Sequence, residues 1–488
     1  MRVRFDRGTI VFDRVEPSID LEKLVGAAWD HELEAWRLPA DQLSGAKTRI
    51  SDAGGRIADE IGQPPRLEGP WQIPPLRWYQ QAAIKAWRAA GDRGVIALPT
   101  GAGKTLAALG AIAELGVATL VIVPTRVLLD QWVRALSAAW PFPVGRLGDG
   151  DHRITPVTVA TYASAVGWGP RIGDRFGMLV VDEAHHVGAW CASELFEMSI
   201  ATARLGLTAT PPEPHGPLGQ HVGEVIYALS IKDLVGDALA SYSTETIAVE
   251  LGQGELAEYR EARGVFSRQF AQFARRTPGA KWREFVRTAQ RSVEGREALA
   301  AWRTSRAVIS YPAAKRRALR DLLARHAGDR VLVFTADNAT AYAIARELLV
   351  MPITCDIGRA EREHMLQRFR SGDANVLVSS QVLDEGLDVP DAEIAIIVGG
   401  TASARRHVQR IGRVLRPRPG KRAFVYELAA RATTEMEQLT ARRRGLDGDA
   451  HGAARASEAR ESRVADAWAP AVLRRRRAST TASAEVVS

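Results

Sequence analysis

Val95-Ile96-Ala97-Leu98-Pro99-Thr100-Gly101-Ala102-Gly103-Lys104-Thr105-Leu106 is the stretch on which the fold turns. A short apolar run breaks at Pro99 into a small, glycine-rich turn, and an Ala/Leu-rich helical pattern begins at Thr105. The order is strand, loop, helix N-terminus. Gly101 and Gly103, with Thr100 and Ala102 between and before them, let backbone N–H groups approach a polyphosphate; the helix start adds partial positive charge. Lys104 can reach the β- and γ-phosphates, and the Thr105 hydroxyl is placed to hold Mg²⁺. The general phosphate-loop pattern has another glycine five residues before Gly103, where this chain has Leu98. The preceding strand and the motifs downstream therefore carry the reading, not Gly-Lys-Thr alone.

The chain has 488 residues, enough for roughly three domains. Its 46% hydrophobic and 25% charged residues are those of a globular chain with sizeable cores. Basic residues number 65 against 57 acidic, a net charge of +8 that favours a polyanionic partner. The excess is uneven: residues 251–310 carry 12 basic and 6 acidic residues, and 441–488 carry 10 and 6. Cys191 and Cys355 are the only cysteines, which argues against a disulfide framework or a cysteine zinc site. With no apolar signal core at Met1–Asp6 and no 18-residue apolar run, the expectation is a cytoplasmic protein without a membrane partner.

Val3-Arg4-Phe5, the turn Asp6-Arg7-Gly8 and Thr9–Phe12 predict a hairpin, followed by a helix from about Asp41 and a Pro-rich joint at 63–75. Trp29 and Trp36 there read either as core or as base-stacking platforms. A helix from Leu76 precedes the phosphate loop. Apolar strands then alternate with helical patterns: Ala118–Pro124, Val157–Thr161, Met178–Glu183 and Leu205–Thr210. Such alternation argues a parallel sheet covered by helices. In 251–310 the strands stop. Tyr259, Phe266, Phe270 and Phe273 fall on one helical face among crowded Arg and Lys residues. Alternation resumes with Arg330–Thr335, Ile353–Gly358, Asn375–Ser380, Glu393–Gly399 and Arg422–Glu427, a second α/β domain. Beyond about 431 the chain turns Ala/Arg/Ser-rich and ends past Arg474–Arg477, composition that predicts a disordered tail with a helix near 431–445.

Met178-Leu179-Val180-Val181-Asp182-Glu183-Ala184-His185 is a buried strand ending in two carboxylates. Beside a phosphate loop, Asp182 suits a metal-binding role and Glu183 suits orienting or deprotonating an attacking water.

With those residues in place the chain resembles the superfamily 2 helicases with a DEAH box. Val123-Pro124-Thr125 resembles motif Ia, and Thr161 sits where the next nucleic-acid-contacting motif belongs. Leu207-Thr208-Ala209-Thr210-Pro211 resembles motif III, with Thr208, Thr210 and His185 as coupling residues. Ser379-Ser380 and Glu385-Gly386-Leu387-Asp388-Val389-Pro390 resemble motif V, and Gln409 through Pro417 resembles motif VI. The resemblance implies ATP and Mg²⁺ as cofactors. It also implies that Arg77 and Gln80 read the adenine, Gly386 and Asp388 help bind nucleotide, and Pro124, Thr125, Thr161, Ser379 and Ser380 contact nucleic acid. By the same resemblance Gln409, Arg413 and Arg416 are expected to serve catalysis, the two arginines as fingers that stabilise charge developing on the γ-phosphate.

The stretch Val121–Trp132, the doubled His185-His186, Thr158–Tyr162 and the N-terminal Trp29-Asp30…Trp36–Ala40 are similar to the XPB-type DNA repair helicases. The implied fold is α/β: two RecA-like parallel-sheet motor domains, a small N-terminal α+β domain and a helical insert. The boundaries are 1–70 for a damage-recognition-like domain, 71–250 for motor domain 1, and 251–310 for a thumb-like insert. Motor domain 2 takes 311–432 and a basic tail 433–488. One departure is plain. That family follows motif III with Arg-Glu-Asp, whereas Pro211-Pro212-Glu213-Pro214-His215 stands here. The expected activity is ATP-dependent movement on, or unwinding of, single-stranded or forked DNA in repair, alone or with a nuclease or repair partner. The alternatives are a translocase that does not unwind processively, an RNA helicase, and the motor subunit of a restriction or defence system.

Overall fold

A computed structural model of the chain describes residues 1–444 apart from 16–18, 20, 23–25, 189–192, 211–215, 237, 381–390, 401–402 and 415–420. Two compact units emerge, the first running Met1–Leu239 and the second beginning at Ala240. No helix among the described residues is long and apolar enough to cross a membrane.

The first unit opens with the expected hairpin, β1 (Arg2–Asp6) and β2 (Thr9–Asp13), in register from Arg2↔Asp13 to Asp6↔Thr9. Arg7 and Gly8 both have positive φ, as a tight two-residue hairpin turn requires. Next come β3 (Ala28–Asp30), β4 (Ala35–Pro39), α1 (Leu43–Asp52) and the short β5 (Ala58–Asp59). They complete a sheet of order β3-β4-β2-β1-β5. Val3, Ile10, Phe12 and Leu38 point inward against Ala46 and Ile50 of α1. Ile200 joins that core, and a Cβ on Gly8 would lie 2.6 Å from Met198 Cγ, so this small sheet docks directly on the segment around Met198–Ile200. The two tryptophans divide: Trp36 packs on the core, while Trp29 is 44% exposed and meets it edge-on.

The rest of the unit comprises α2 (Trp78–Ala89), β6 (Arg93–Ala97), α3 (Lys104–Leu115), β7 (Thr119–Val123), α4 (Arg126–Ala139) and the hairpin β8 (Gly145–Gly148)/β9 (Asp151–Arg153). Then come β10 (Val157–Thr161), α5 (Tyr162–Ile172), β11 (Met178–Val181), α6 (Glu194–Glu197), β12 (Ala203–Thr208), α7 (Pro217–His221), β13 (Val225–Ala228) and α8 (Ile231–Leu234). The sheet order is β13-β6-β12-β11-β7-β10-β8-β9, parallel except at β9. Its central strands are continuous apolar runs because helices cover both faces; every residue of β7 and β11 is buried. Fully burying each such Val or Leu contributes about 1.5–3 kcal/mol.

The second unit begins earlier than residue 251. The strand β14 (Ser241–Val249), expected in the first motor domain, pairs in parallel with a strand near the far end of the chain. After it come α9 (Gln253–Arg276), α10 (Trp282–Ala289), α11 (Val293–Ser310), α12 (Ala313–Arg325), β15 (Val331–Phe334), α13 (Asn338–Leu348) and β16 (Met351–Ile353). The chain continues through α14 (Arg359–Ser371), β17 (Val376–Ser379), β18 (Ile394–Ile397), α15 (Ala404–Val414), β19 (Arg422–Ala430) and α16 (Thr434–Arg444). The sheet runs β14-β19-β18-β15-β17-β16, all parallel. The strand expected over Ile353–Gly358 instead ends at Ile353. The α9 stripe is core: Tyr259, Phe266 and Phe270 are buried, and Phe266, Phe270 and Phe285 meet Trp282 in edge-on or tilted ring contacts. The expected tail starts as α16, whose Glu435 and Arg443 are tied to the domain. Residues 445–488 lie outside the described residues.

Candidate nucleotide site and nucleic-acid edge

In a parallel sheet the strand ends at the carboxyl edge carry the ligand-facing loops. Along that edge of the first unit the neighbours are β6, β12, β11, β7 and β10, and each ends in a segment singled out by sequence. The phosphate loop leaves β6, Thr208–Thr210 leave β12, Asp182-Glu183 leave β11, Pro124-Thr125 leave β7, and Thr161 ends β10. Nucleotide-type residues thus occupy three adjacent strand ends and nucleic-acid-type residues the next two.

The loop has the backbone that its glycines permit. Gly101 has φ +89° and Gly103, at the N-cap of α3, has φ +76°, both in the left-handed region. Lys104 Nζ donates to the Leu98 carbonyl at 3.2 Å. Gln80 is buried under the loop. Its Nε2 donates to the carbonyls of Ala102 (3.0 Å) and Gly103 (3.2 Å), and its Oε1 accepts from Arg77 N at 2.9 Å. Tyr79 adds a hydroxyl bond to Ala102 O at 2.8 Å. Arg77 itself donates to Ala238 O at 2.8 Å. Arg77 and Gln80, the pair expected to read the adenine, also hold protein backbone, Gln80 that of the phosphate loop.

Asp182 is buried at the end of β11, and its backbone N–H bonds Ile122 O at 2.9 Å. Oδ1 accepts from Glu183 N at 2.9 Å and Oδ2 from Trp132 Nε1 at 2.7 Å. Burial pushes its carboxyl up, against the downward pull of the Trp132 N–H and the Lys104 charge. A buried carboxylate and a threonine hydroxyl on one sheet edge are hard-oxygen donors of the kind Mg²⁺ takes. Glu183 has φ +47°, a strained value for a non-glycine at a strand-to-turn corner. His185 Nδ1 lies 3.4 Å from Glu183 Oε2 and 3.2 Å from Thr208 Oγ1, and Thr208 Oγ1 in turn donates to Thr210 O at 2.9 Å. Carboxylate, histidine and motif III threonines form one connected line.

Thr125 caps α4, accepting from Leu128 N at 3.3 Å, and Thr161 caps α5, accepting from Ser164 N at 3.2 Å. Two helix N-termini, each with its partial positive charge, stand together at the ends of neighbouring strands in register.

In the second unit, Ser379 and Ser380 close β17, and Ser380 Oγ donates to Asn338 Oδ1. Gln409 on α15 is 1% exposed, and neither end of its amide nor the Ser379 hydroxyl has a hydrogen-bond partner among the described residues. Arg410, which sequence alone does not single out, is buried. It donates to Thr335 O (3.1 Å), Ser380 O (3.0 Å) and Gly399 O (3.2 Å), binding three adjacent strand ends to α15. Arg413 lies in α15 with its side chain outside the described residues; Gly386, Asp388 and Arg416 lie outside them altogether. Trp132 and Tyr79 also escape a sequence reading; buried aromatics with a polar tip are the only signal that marks them.

The family model described as "Type III restriction enzyme, res subunit" matches residues 73–213, and "Helicase conserved C-terminal domain" matches 314–418. The chain is 32% identical over 458 residues to the DNA 3'-5' translocase XPB2 of Sulfurisphaera tokodaii, covering 91% of this chain and 99% of that protein. It is 29% identical over 405 residues to the DNA 3'-5' helicase XPB of Mycobacterium tuberculosis, covering 78% of this chain but 65% of that one, less than two thirds. The Hef helicase domain of Pyrococcus furiosus shares the fold at TM-score 0.50 and 20% identity, over 75% of this chain and 98% of that domain. Motifs, sheets and relatives agree: the chain belongs to the XPB-type superfamily 2 helicases.

Proposed function

We infer that the protein is an ATP-dependent DNA helicase or translocase acting in DNA repair, with ATP and Mg²⁺ at the carboxyl edge of the first sheet. The observation that carries this is the order of strand ends: phosphate loop, motif III and Asp182-Glu183 on β6, β12 and β11, then capped helix N-termini on β7 and β10. In this reading Lys104 and the loop N–H groups bind the phosphates, Thr105 and Asp182 hold the metal, and Glu183 orients the attacking water. Bound Mg²⁺ supplies charge neutralisation for the departing phosphate. His185, Thr208 and Thr210 pass the state of that site along the edge. Gln409, Arg413 and Arg416 take the finger role, and Gly386 and Asp388 contribute to nucleotide binding. Thr125, Thr161, Ser379 and Ser380 take DNA phosphates, with Pro124 shaping the first of these turns.

The relatives are named 3'-5' translocases or helicases, and we assign that direction here. We read Asp182–His185 as a DEAH box, 1–70 as a DNA-inspecting domain, 251–310 as a thumb, and the site of action as cytoplasmic DNA, with a repair nuclease as partner. The thumb reading draws support from Arg268, Arg275, Arg276, Arg283, Arg287 and Arg303, all exposed on α9, α10 and α11. The restriction-motor alternative rests on the description of one family model; the relative matched almost end to end is a translocase. The test is ATP-driven displacement of streptavidin from single-stranded DNA biotinylated at either end. Displacement from the 5' end alone is expected, and displacement from neither end contradicts translocation.

A further inference from the structure

α4 and α5 are the two helices whose caps, Thr125 and Thr161, stand at the nucleic-acid end of the first sheet's edge. Each sends one aromatic side chain back to a single residue on the nucleotide side. Trp132, 1% exposed, lies seven residues beyond the α4 cap, about 10 Å along the helix. Its Nε1–H donates to Asp182 Oδ2 at 2.7 Å. Tyr162, the first residue of α5, donates its hydroxyl to the Asp182 carbonyl oxygen at 2.8 Å. The other carboxylate oxygen takes Glu183 N at 2.9 Å. Both the backbone and the side chain of Asp182 are therefore anchored to helices that begin at the nucleic-acid edge.

We propose that Trp132 and Tyr162 are positioning residues that couple nucleic-acid binding at α4 and α5 to the metal-holding geometry of Asp182. A phosphate taken at the N-terminus of α4 shifts or stiffens that helix, and the indole moves with it. A hydrogen bond to a carboxylate is short and strong, and in a buried setting its loss leaves the oxygen without a donor. The Asp182 side chain is therefore bound to the motion of α4 rather than turning freely. This route runs on the β7–β10 side of Asp182, separate from the His185–Thr208 contact on the β12 side. The inference rests on the reading of the site as a DNA-responsive Mg²⁺–ATP site.

The experiment measures the affinity of a labelled single-stranded oligonucleotide by anisotropy, with and without Mg²⁺ and a non-hydrolysable ATP analogue. The ratio of the two dissociation constants is the coupling, and linkage makes it the same in both directions. Trp132→Phe and Tyr162→Phe each remove one donor and keep an aromatic ring. Each is expected to bring the wild-type ratio at least about threefold closer to one, within the 5–150-fold range such couplings span. Repeating the titration with the analogue in EDTA separates coupling from general weakening, because variants that act through metal geometry then match the wild type. Wild-type ratios in both variants overturn the proposal. If Trp132→Phe does not fold, Tyr162→Phe, which loses a single hydroxyl, decides it by the same ratio. A wild type that binds no DNA sinks the function itself; a wild type that binds DNA with a ratio of one sinks the coupling alone.

Discussion

Gln80 and Ala102 are joined by a hydrogen bond of 3.0 Å from the glutamine amide to the loop carbonyl, and a Cβ on the next residue, Gly103, would stand 2.5 Å from that amide nitrogen. Gly103 also holds φ +76°, which costs an L-residue about 1–2 kcal/mol. Gly103→Ala should therefore expel Gln80 from the loop and lower ATP-analogue affinity by about tenfold or more while the protein still melts cooperatively. Equilibrium binding of a fluorescent analogue checks this. Adding Gln80→Ala should weaken binding less than additively, since the two residues share one contact.

Glu183→Gln keeps the shape of the corner and removes the base. ATP-analogue binding should be retained while steady-state turnover falls by about 10²–10⁴, the usual contribution of a positioned general base. Normal turnover in this variant would remove Glu183 from that role.

Lys315 is fully buried and donates to Ile309 O (2.8 Å), Val398 O (2.7 Å) and Glu435 Oε1 (2.7 Å), while Glu435 Oε2 accepts from Ala430 N. Burial pushes the lysine down and Glu435 pulls it back up. Lys315→Met strands a buried carboxylate and should cost about 3–5 kcal/mol in denaturant unfolding. Lys315→Met combined with Glu435→Leu should recover part of that loss. A loss no greater than a surface lysine's would show that the pair is not holding α16 in place.

His407, on the buried side of α15, is pushed down to about 3 by burial and by Arg442, Arg410 and Arg443. It is neutral at working pH, so its 3.7 Å approach to Glu427 is not an ion pair. Its folded pKa lies below its ordinary 6.5, so the unfolded chain binds the extra proton first. Stability is complete above pH 6.5 and falls as the pH drops from there toward 3, by about 1.4 kcal/mol per unit. His407→Asn should flatten the stability–pH slope between about pH 6.5 and 5. An unchanged slope would mean that His407 is not the group responsible.

The sequence is legible where chemistry and periodicity coincide. The strands β6, β7, β10, β11 and β12 are apolar runs followed at once by motif residues, and buried parallel strands must read that way. β14 escapes such a reading because Ser241–Val249 mixes Ser, Thr and Glu with apolar residues on an edge strand. Its partner, β19, lies about 180 residues away. The motif residues are visible by type and spacing, but their supports are not. Trp132, Tyr79 and Arg410 act through contacts up to 75 residues distant in the chain, and no local pattern encodes such pairings. Gln80 shows the limit most plainly: its place beside the loop is foreseeable, its grip on Ala102 and Gly103 is not.

The most direct test is steady-state ATP hydrolysis by the wild type and by Lys104→Ala, without nucleic acid and with single-stranded DNA, forked DNA or RNA. Strong stimulation by DNA over RNA, abolished in Lys104→Ala, is the predicted result. Wild-type hydrolysis indifferent to all three, or stimulated by RNA alone, would contradict a DNA motor.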